Sequence, residues 1–192
     1  MGRNECPEIW SFIAFSSIKV IHFIFDQACL RSFYFAHIYF HLQYSILAWH
    51  NTLKQNLKKL ESLHCKSVRL MTLHGPLQDF HFSAYEMFKN MNLWKTKDIY
   101  TLEMAKFMYR MHNNQLPETF RNYFIRIDSM HSYNLRSTSS RVFYSKHTYR
   151  HQYKNWFSNA GVVLWGNIDA SLKNLSLKSF SSKLRNIIIE SY

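Results

Sequence analysis

Imidazoles, thiols, carboxylates and cations are the side chains with which this chain could do chemistry, and their spacing narrows the choice. His37 and His41 stand four residues apart, as do His147 and His151. On a helix that spacing puts two imidazoles on one face, where they can share a Zn²⁺. Neither pair carries the glutamate of an HExxH arrangement, no CxxC exists, and the first pair lies in a strongly apolar stretch. Core or surface histidines are the better reading. Cys6, Cys29 and Cys65 are odd in number and widely spaced, which supports no disulfide framework and points to a reducing compartment. Cys65 follows His64, but adjacent residues on a helix do not face each other. There is no G-x-S-x-G elbow, and four scattered glycines build no phosphate-cradling loop. Asp26, Asp79, Asp98, Asp128 and Asp169 each stand without an adjacent acid, whereas two-metal phosphoryl chemistry needs carboxylates gathered around the ions. No metal site, cofactor, small-molecule substrate or catalysis is expected.

Cations remain. The chain has 24 Lys and Arg against 12 Asp and Glu, a net charge of +12. Such a balance suits a polyanion, either nucleic acid or an anionic membrane surface. AT-rich coding also enriches Lys, Asn, Ile, Phe and Tyr, and is a competing source of the charge. Two stretches concentrate the cations. In the first, Leu53, Leu57, Leu60, Leu63, Val68 and Met71 recur at roughly helical spacing, and Lys54, Lys58, Lys59, Lys66 and Arg69 fall mostly outside that stripe. The pattern predicts a helix that buries one face and presents cations on the other, with Asn51 or Thr52 as N-cap. In the second, Arg121 to Lys154, seven cations face a single acid, Asp128, and aromatics interleave. Arg136, Arg141, Lys146 and Arg150 suit backbone phosphates. Most of the aromatics belong to core packing, but Tyr133, Tyr144 and Tyr149 are candidates for stacking on unpaired bases.

The elements that position these groups read as mainly α: four or five helices and an irregular basic segment. With 192 residues and 47% apolar content the chain is globular. Gln27 to Trp49 is expected as a largely buried helix. The basic helix that follows should stop near His74-Gly75-Pro76. Ser83 and Glu86 form a capping box for a short helix through Lys89 or Asn90. Thr96 to Asn113 buries Tyr100, Met104, Phe107 and Met111, and ends at Asn113-Asn114. Residues 121–154 read as extended, with room for short strands near Val142–Tyr144 and Val162–Trp165. Ser176 caps a closing helix with Leu177, Phe180, Leu184 and Ile187 or Ile188 on its apolar face. The organisation expected is an apolar N-terminal segment (1–28), a helical region (29–114) and a basic, aromatic segment with a C-terminal helix (115–192). Ile9 to Phe25 is apolar but interrupted by Lys19 and His22, and shorter than the ~20 residues of a membrane span. A buried helix is the preferred reading there, and a membrane anchor the alternative.

Several short signatures, in order, carry a family resemblance. Leu30, Phe33-Tyr34, Ala36, Ile38, His41-Leu42, Tyr44, Ile46, Trp49, Asn51-Thr52, Leu57, Leu60, Leu63 and Arg69 come first, followed by the run MAKFMYRMHNNQLPETF. His131-Ser132-Tyr133-Asn134-Leu135-Arg136-Ser137, the block Gly161-Val162-Val163-Leu164-Trp165 and the closing helix from Ser176 complete the set. Together, over residues 29–192, they resemble the C-terminal part of LINE-type, jockey-like non-LTR retrotransposon reverse transcriptases. That part comprises the thumb and post-thumb sequence that follows the polymerase palm. The resemblance implies a thumb-like helical bundle that grips RNA or an RNA/DNA hybrid without regard to sequence, in the cytoplasm or nucleus. It also implies a chain without the palm, its catalytic Asp pair or the endonuclease, and hence no polymerase or nuclease activity. Phe40 stands where the family usually has Pro, and Val162 likewise. These departures leave a degraded element copy, or a helical protein-interaction module, as alternatives.

Overall fold

The structure, a computed structural model, describes residues 16–18, 20–21, 24–44, 46–50, 54–72, 84–127, 142–144 and 157–190. It is mainly α-helical, and its chain divides into two compact units. The first is residues 1–100 with 188–192, and the second is residues 101–187.

In the first unit, helix α1 (Gln27–Phe33) starts where the Asp26 carboxylate accepts the Cys29 N–H at 3.0 Å. It passes without a break into a π-helical stretch, Tyr34–Tyr39, and then α2 (Phe40–Gln43). The sequence explains the wide turn. Leu30, Tyr34, Ile38 and Leu42 are all buried, at strict four-residue spacing. On a 3.6-residue helix that spacing drifts by about 40° per step. A π turn takes more residues and absorbs the drift, so one face stays on the core. The rod ends at Tyr44, whose ψ of 120° is extended, and the Trp49 indole N–H closes the turn onto the Tyr44 carbonyl at 2.9 Å. A short helix, α3 (Ile46–Trp49), follows. The uninterrupted, largely buried helix expected over Gln27–Trp49 is therefore corrected. It is broken at Tyr44, and Phe40 and Tyr44 are exposed.

Helix α4 (Lys54–Thr72) is the basic amphipathic helix. Helix α5 (Ala84–Asn90) begins at the position the capping box assigns, although Ser83 itself lies outside the described residues. Its end follows from one residue. Asn92 takes φ 51°, the left-handed conformation that Asn tolerates better than most side chains. The Leu93 N–H then reaches back to the Phe88 carbonyl at 2.9 Å, and the Asn92 N–H to that of Lys89 at 3.0 Å. This is a Schellman closure, and the two residues whose apolar contact usually accompanies it, Leu93 and Phe88, are both buried. Arg31 donates to the Met91 carbonyl and ties α1 to this turn.

Helix α6 (Thr96–His112) begins in the first unit and continues into the second. Asn114, at φ 55°, ends it in the same way, with Gln115 N–H on the Arg110 carbonyl at 2.8 Å. Asn113-Asn114 thus terminates the helix as the sequence indicates. A 3₁₀ turn follows, Glu118–Tyr123. Arg126 and Phe143 form an isolated antiparallel bridge, so Val142–Tyr144 is extended, although among the described residues no full strand is present. Val162–Trp165, expected to allow a strand, lies within helix α7 (Phe157–Asn167). Packing decides this. Gly161 faces α6, where an added Cβ would stand 2.9 Å from Met108 Sδ and 3.2 Å from Met104 Sδ. The missing side chain lets a helix lie close against the methionines. Helix α8 (Ala170–Lys173) is capped by Asp169, and α9 (Leu177–Glu190) by the Ser176 hydroxyl, 3.4 Å from the Ser179 N–H. Phe180 and Leu184 are buried on α9, whereas Ile187 is exposed.

Among the described residues no helix is long and apolar enough to cross a membrane. The run Ile9–Phe25 lies mostly outside them.

Candidate nucleic-acid interface

Helix α4 separates its faces sharply. Leu60, His64, Ser67, Val68 and Met71 are buried, while Lys58, Lys59, Ser62, Lys66 and Arg69 are exposed. At about 100° per residue the exposed set falls within an arc of roughly 100°, and the buried set lies opposite it. A rise of about 1.5 Å per residue puts ~16 Å between Lys58 and Arg69. Among the described residues none of these four cations forms an ion pair with an acid. The apolar stripe read from the leucines needs a shift. Leu57 and Leu63 are only half-buried, and the centre of the buried face is His64.

His64 sits in a complete polar network. Its Nε2 is 2.8 Å from the Tyr34 hydroxyl and its Nδ1 is 3.1 Å from Thr96 Oγ1. The Tyr34 ring stacks on it, with centroids 5.8 Å apart, and Phe88 meets it edge-on at 5.0 Å. Burial pushes the imidazole down to about 3, so it is neutral, and each ring nitrogen meets a hydroxyl that can give or take a proton. The trio joins three elements and holds the rotation of α4 about its axis. That rotation decides which residues face solvent. Cys65 beside it is half-buried, and its thiol is pushed up by burial and by Glu61, which keeps it protonated and unreactive. A second stacked pair, His50 on Tyr100 at 3.8 Å, is also neutral, because burial and then Lys97 bring His50 down to about 4.

The other sequence-derived site residues divide into two groups. Lys54 opens α4, but its side chain is outside the described residues, as are Tyr133, Arg136, Arg141, Lys146, Tyr149 and Arg150. Tyr144 is described. It is exposed, and its N–H donates to the Ile125 carbonyl at 2.8 Å, beside the Arg126–Phe143 bridge. A ring held on a fixed backbone with a free face is able to stack on a base. His37 is exposed and packs on Phe33 at 4.4 Å, and His41 meets Phe40 edge-on. His147 and His151 are outside the described residues.

The second unit holds polar groups that sequence reading passed over. Tyr109 donates its hydroxyl to the Leu175 carbonyl at 2.5 Å. Trp165 packs among Tyr109, His112 and Phe180 with centroids 5.4–6.5 Å apart. Lys173 places its ammonium 5.2 Å from the Trp165 ring centre. Only the packing of α6, α7, α8 and α9 brings these residues together, and no local pattern marks them. No protein-family model, curated protein or solved structure matches the chain. What these sites can do is read from their own side chains.

Proposed function

We propose that this chain is a thumb and post-thumb portion of a LINE-type, jockey-like non-LTR retrotransposon reverse transcriptase. In this reading it is non-catalytic and binds RNA or an RNA/DNA hybrid through backbone phosphates. The observation that carries the binding role is the cation stripe of α4, four exposed charges along ~16 Å on a helix whose other side is anchored in the core. One nucleic-acid strand presents a phosphate about every 3.4 Å along a duplex axis, so that length meets four or five of them. Contacts of this kind read charge and groove shape, and they suit an A-form hybrid whose deep groove side chains do not enter. The order of short signatures along residues 29–192 supports the ancestry.

The test is fluorescence anisotropy on a primed RNA template across a salt series, comparing the chain with a variant carrying Gln at Lys58, Lys59, Lys66 and Arg69. Four phosphate contacts give a slope of about −3 to −4 in log K against log salt, which is roughly a hundredfold between about 50 and 200 mM. The variant should lose most of that slope. An equal slope in both would remove α4 as the interface. No binding by a folded sample at any salt would end the proposal.

A further inference from the structure

In the second unit the bridged segments 125–127 and 142–144 have one face in the core and one in solvent. Arg126 pairs with Phe143 in the antiparallel bridge. The Ile127 N–H donates to the Val142 carbonyl at 3.0 Å, and the Tyr144 N–H to the Ile125 carbonyl at 2.8 Å. Side chains alternate along extended backbone. Phe124 and Phe143 share the inner face. Both are buried, with centroids 6.1 Å apart, and Phe124 meets Phe107 and Phe157 at 5.9 Å each. Ile125 and Tyr144 stand opposite each other on the outer face, 37% and 41% exposed. Tyr123, two residues before Ile125 at the end of the 3₁₀ turn, is 68% exposed.

Exposed apolar groups that adjoin one another, rather than standing singly, mark an interaction surface. The charge beside this one is positive whatever path the flanking chain takes. Arg141 adjoins Val142, Lys146 stands two residues after Tyr144, and Arg121 two residues before Tyr123. Two residues reach at most ~7 Å. Within that reach the one acid is Asp128. A partner that suits the surface therefore offers flat apolar faces and negative charge together. Unpaired bases on a phosphodiester backbone do so. In a duplex the base faces are stacked on one another and closed to a side chain, whereas in a single strand they are open. A bilayer surface supplies the charge but no flat rings for the tyrosines.

We propose that this outer face is a stacking platform for single-stranded nucleic acid. The Tyr144 ring lies against one unpaired base with Ile125 beside it, Tyr123 takes a neighbouring base, and the surplus of flanking cations favours the phosphates. The inner phenylalanines hold the backbone beneath Tyr144, so the ring is presented on a fixed support. Every base has a flat face, and the site is indifferent to sequence. The inference shares its class of partner with the reading of α4, and to that extent rests on it, but none of its residues lies on that helix. The α4 stripe needs phosphates alone, whereas this face needs bases, and removing the bases separates them.

The experiment measures binding of the full chain by fluorescence anisotropy to two strands of equal length, an oligothymidine and an abasic strand with the same phosphates. The parent should bind the oligothymidine about tenfold more tightly. Tyr144→Ala should remove most of that preference while leaving the salt slope unchanged, since it takes away a ring and no cation. Tyr144→Phe, which keeps the ring, should restore it. Glutamine at Lys58, Lys59, Lys66 and Arg69 should weaken both strands alike. Salt-dependent binding of both strands with equal affinity, in parent and Tyr144→Ala alike, overturns the platform and leaves α4 standing. No binding of either strand overturns both. Should Tyr144→Ala lower the unfolding midpoint, irradiation of the parent with a strand carrying 5-iodouracil maps the contact instead. A crosslink at Tyr144 or Tyr123 supports the platform, and crosslinks only elsewhere overturn it. Tyr144-dependent binding to phosphatidylserine vesicles, or a Tyr144-dependent dimer in sedimentation, with no preference for bases, gives the face to a membrane or a second copy and overturns the proposal.

Discussion

His64 and His112 make a natural pair for comparison. Both are histidines on long helices, both are packed against aromatic rings, and both are held neutral by burial. They differ in their partners. Each nitrogen of His64 faces a hydroxyl, Tyr34 on one side and Thr96 on the other. At His112 the Nδ1 nitrogen faces nothing among the described residues, nor does the indole of the adjoining Trp165. A buried polar group with all its bonds made fixes one arrangement of its helices, whereas one left unsatisfied costs stability until something binds. The first region is therefore a structural pin, and the second carries the cost of two buried nitrogens whose hydrogen bonds are not made.

The largest test of that contrast exchanges each histidine for an apolar ring. His64→Phe leaves the Tyr34 and Thr96 hydroxyls buried without their partner, and should cost about 2–4 kcal/mol in urea unfolding. His112→Phe removes an orphaned nitrogen and should stay within about 0.5 kcal/mol of the parent. Equal losses at the two sites would dissolve the distinction.

The pH dependence of stability sharpens it. His64 has its folded pKa lowered from 6.5 to about 3. Between those values the unfolded chain binds a proton at this position and the folded chain does not, so unfolding gains as pH falls through that window. The stabilisation is complete above about pH 6.5 and is lost towards pH 3. In His64→Gln that dependence is missing, while the same-signed contribution of His50 remains. The gap in Tm between parent and variant should narrow as the buffer is taken from pH 7 to pH 4. A constant gap would show that His64 is not the buried neutral group described here.

A smaller effect is expected at Gly161, where α7 closes on α6. Gly161→Ala puts a methyl against Met108 and Met104 sulfurs. Methionine side chains are flexible and can yield, and alanine favours the helix, so the net cost should be about 1 kcal/mol. Urea unfolding of parent and variant measures that cost. An unchanged unfolding midpoint would show that the methionines yield fully.

Much of the fold was legible because its signals are local. The amphipathic pattern of α4, the start of α5 at Ala84, Asn113-Asn114 at the end of α6 and the Ser176 cap of α9 each involve residues within a turn or two of one another. Two misreadings came from signals that are not local. The four-residue apolar spacing of Leu30, Tyr34, Ile38 and Leu42 reads as ordinary helix until the core shows that all four face it. Val162–Trp165 has strand-like residues, yet Gly161 meets α6 and the segment is helical.

By itself, then, the sequence determined a mainly helical chain, the start of α1, both ends of α5 and α6, the start of α9 and a cationic face on α4, since backbone capping and the 3.6-residue period act over a few residues. Only the tertiary structure decided which histidine is pinned and which is left open. Tyr34, His64 and Thr96 are separated by some thirty residues at each step, as the 30- and 32-residue spans of their hydrogen bonds show, and Trp165 meets His112 from another helix. Whether a buried nitrogen finds a partner depends on how helices pack. No spacing along the chain encodes that.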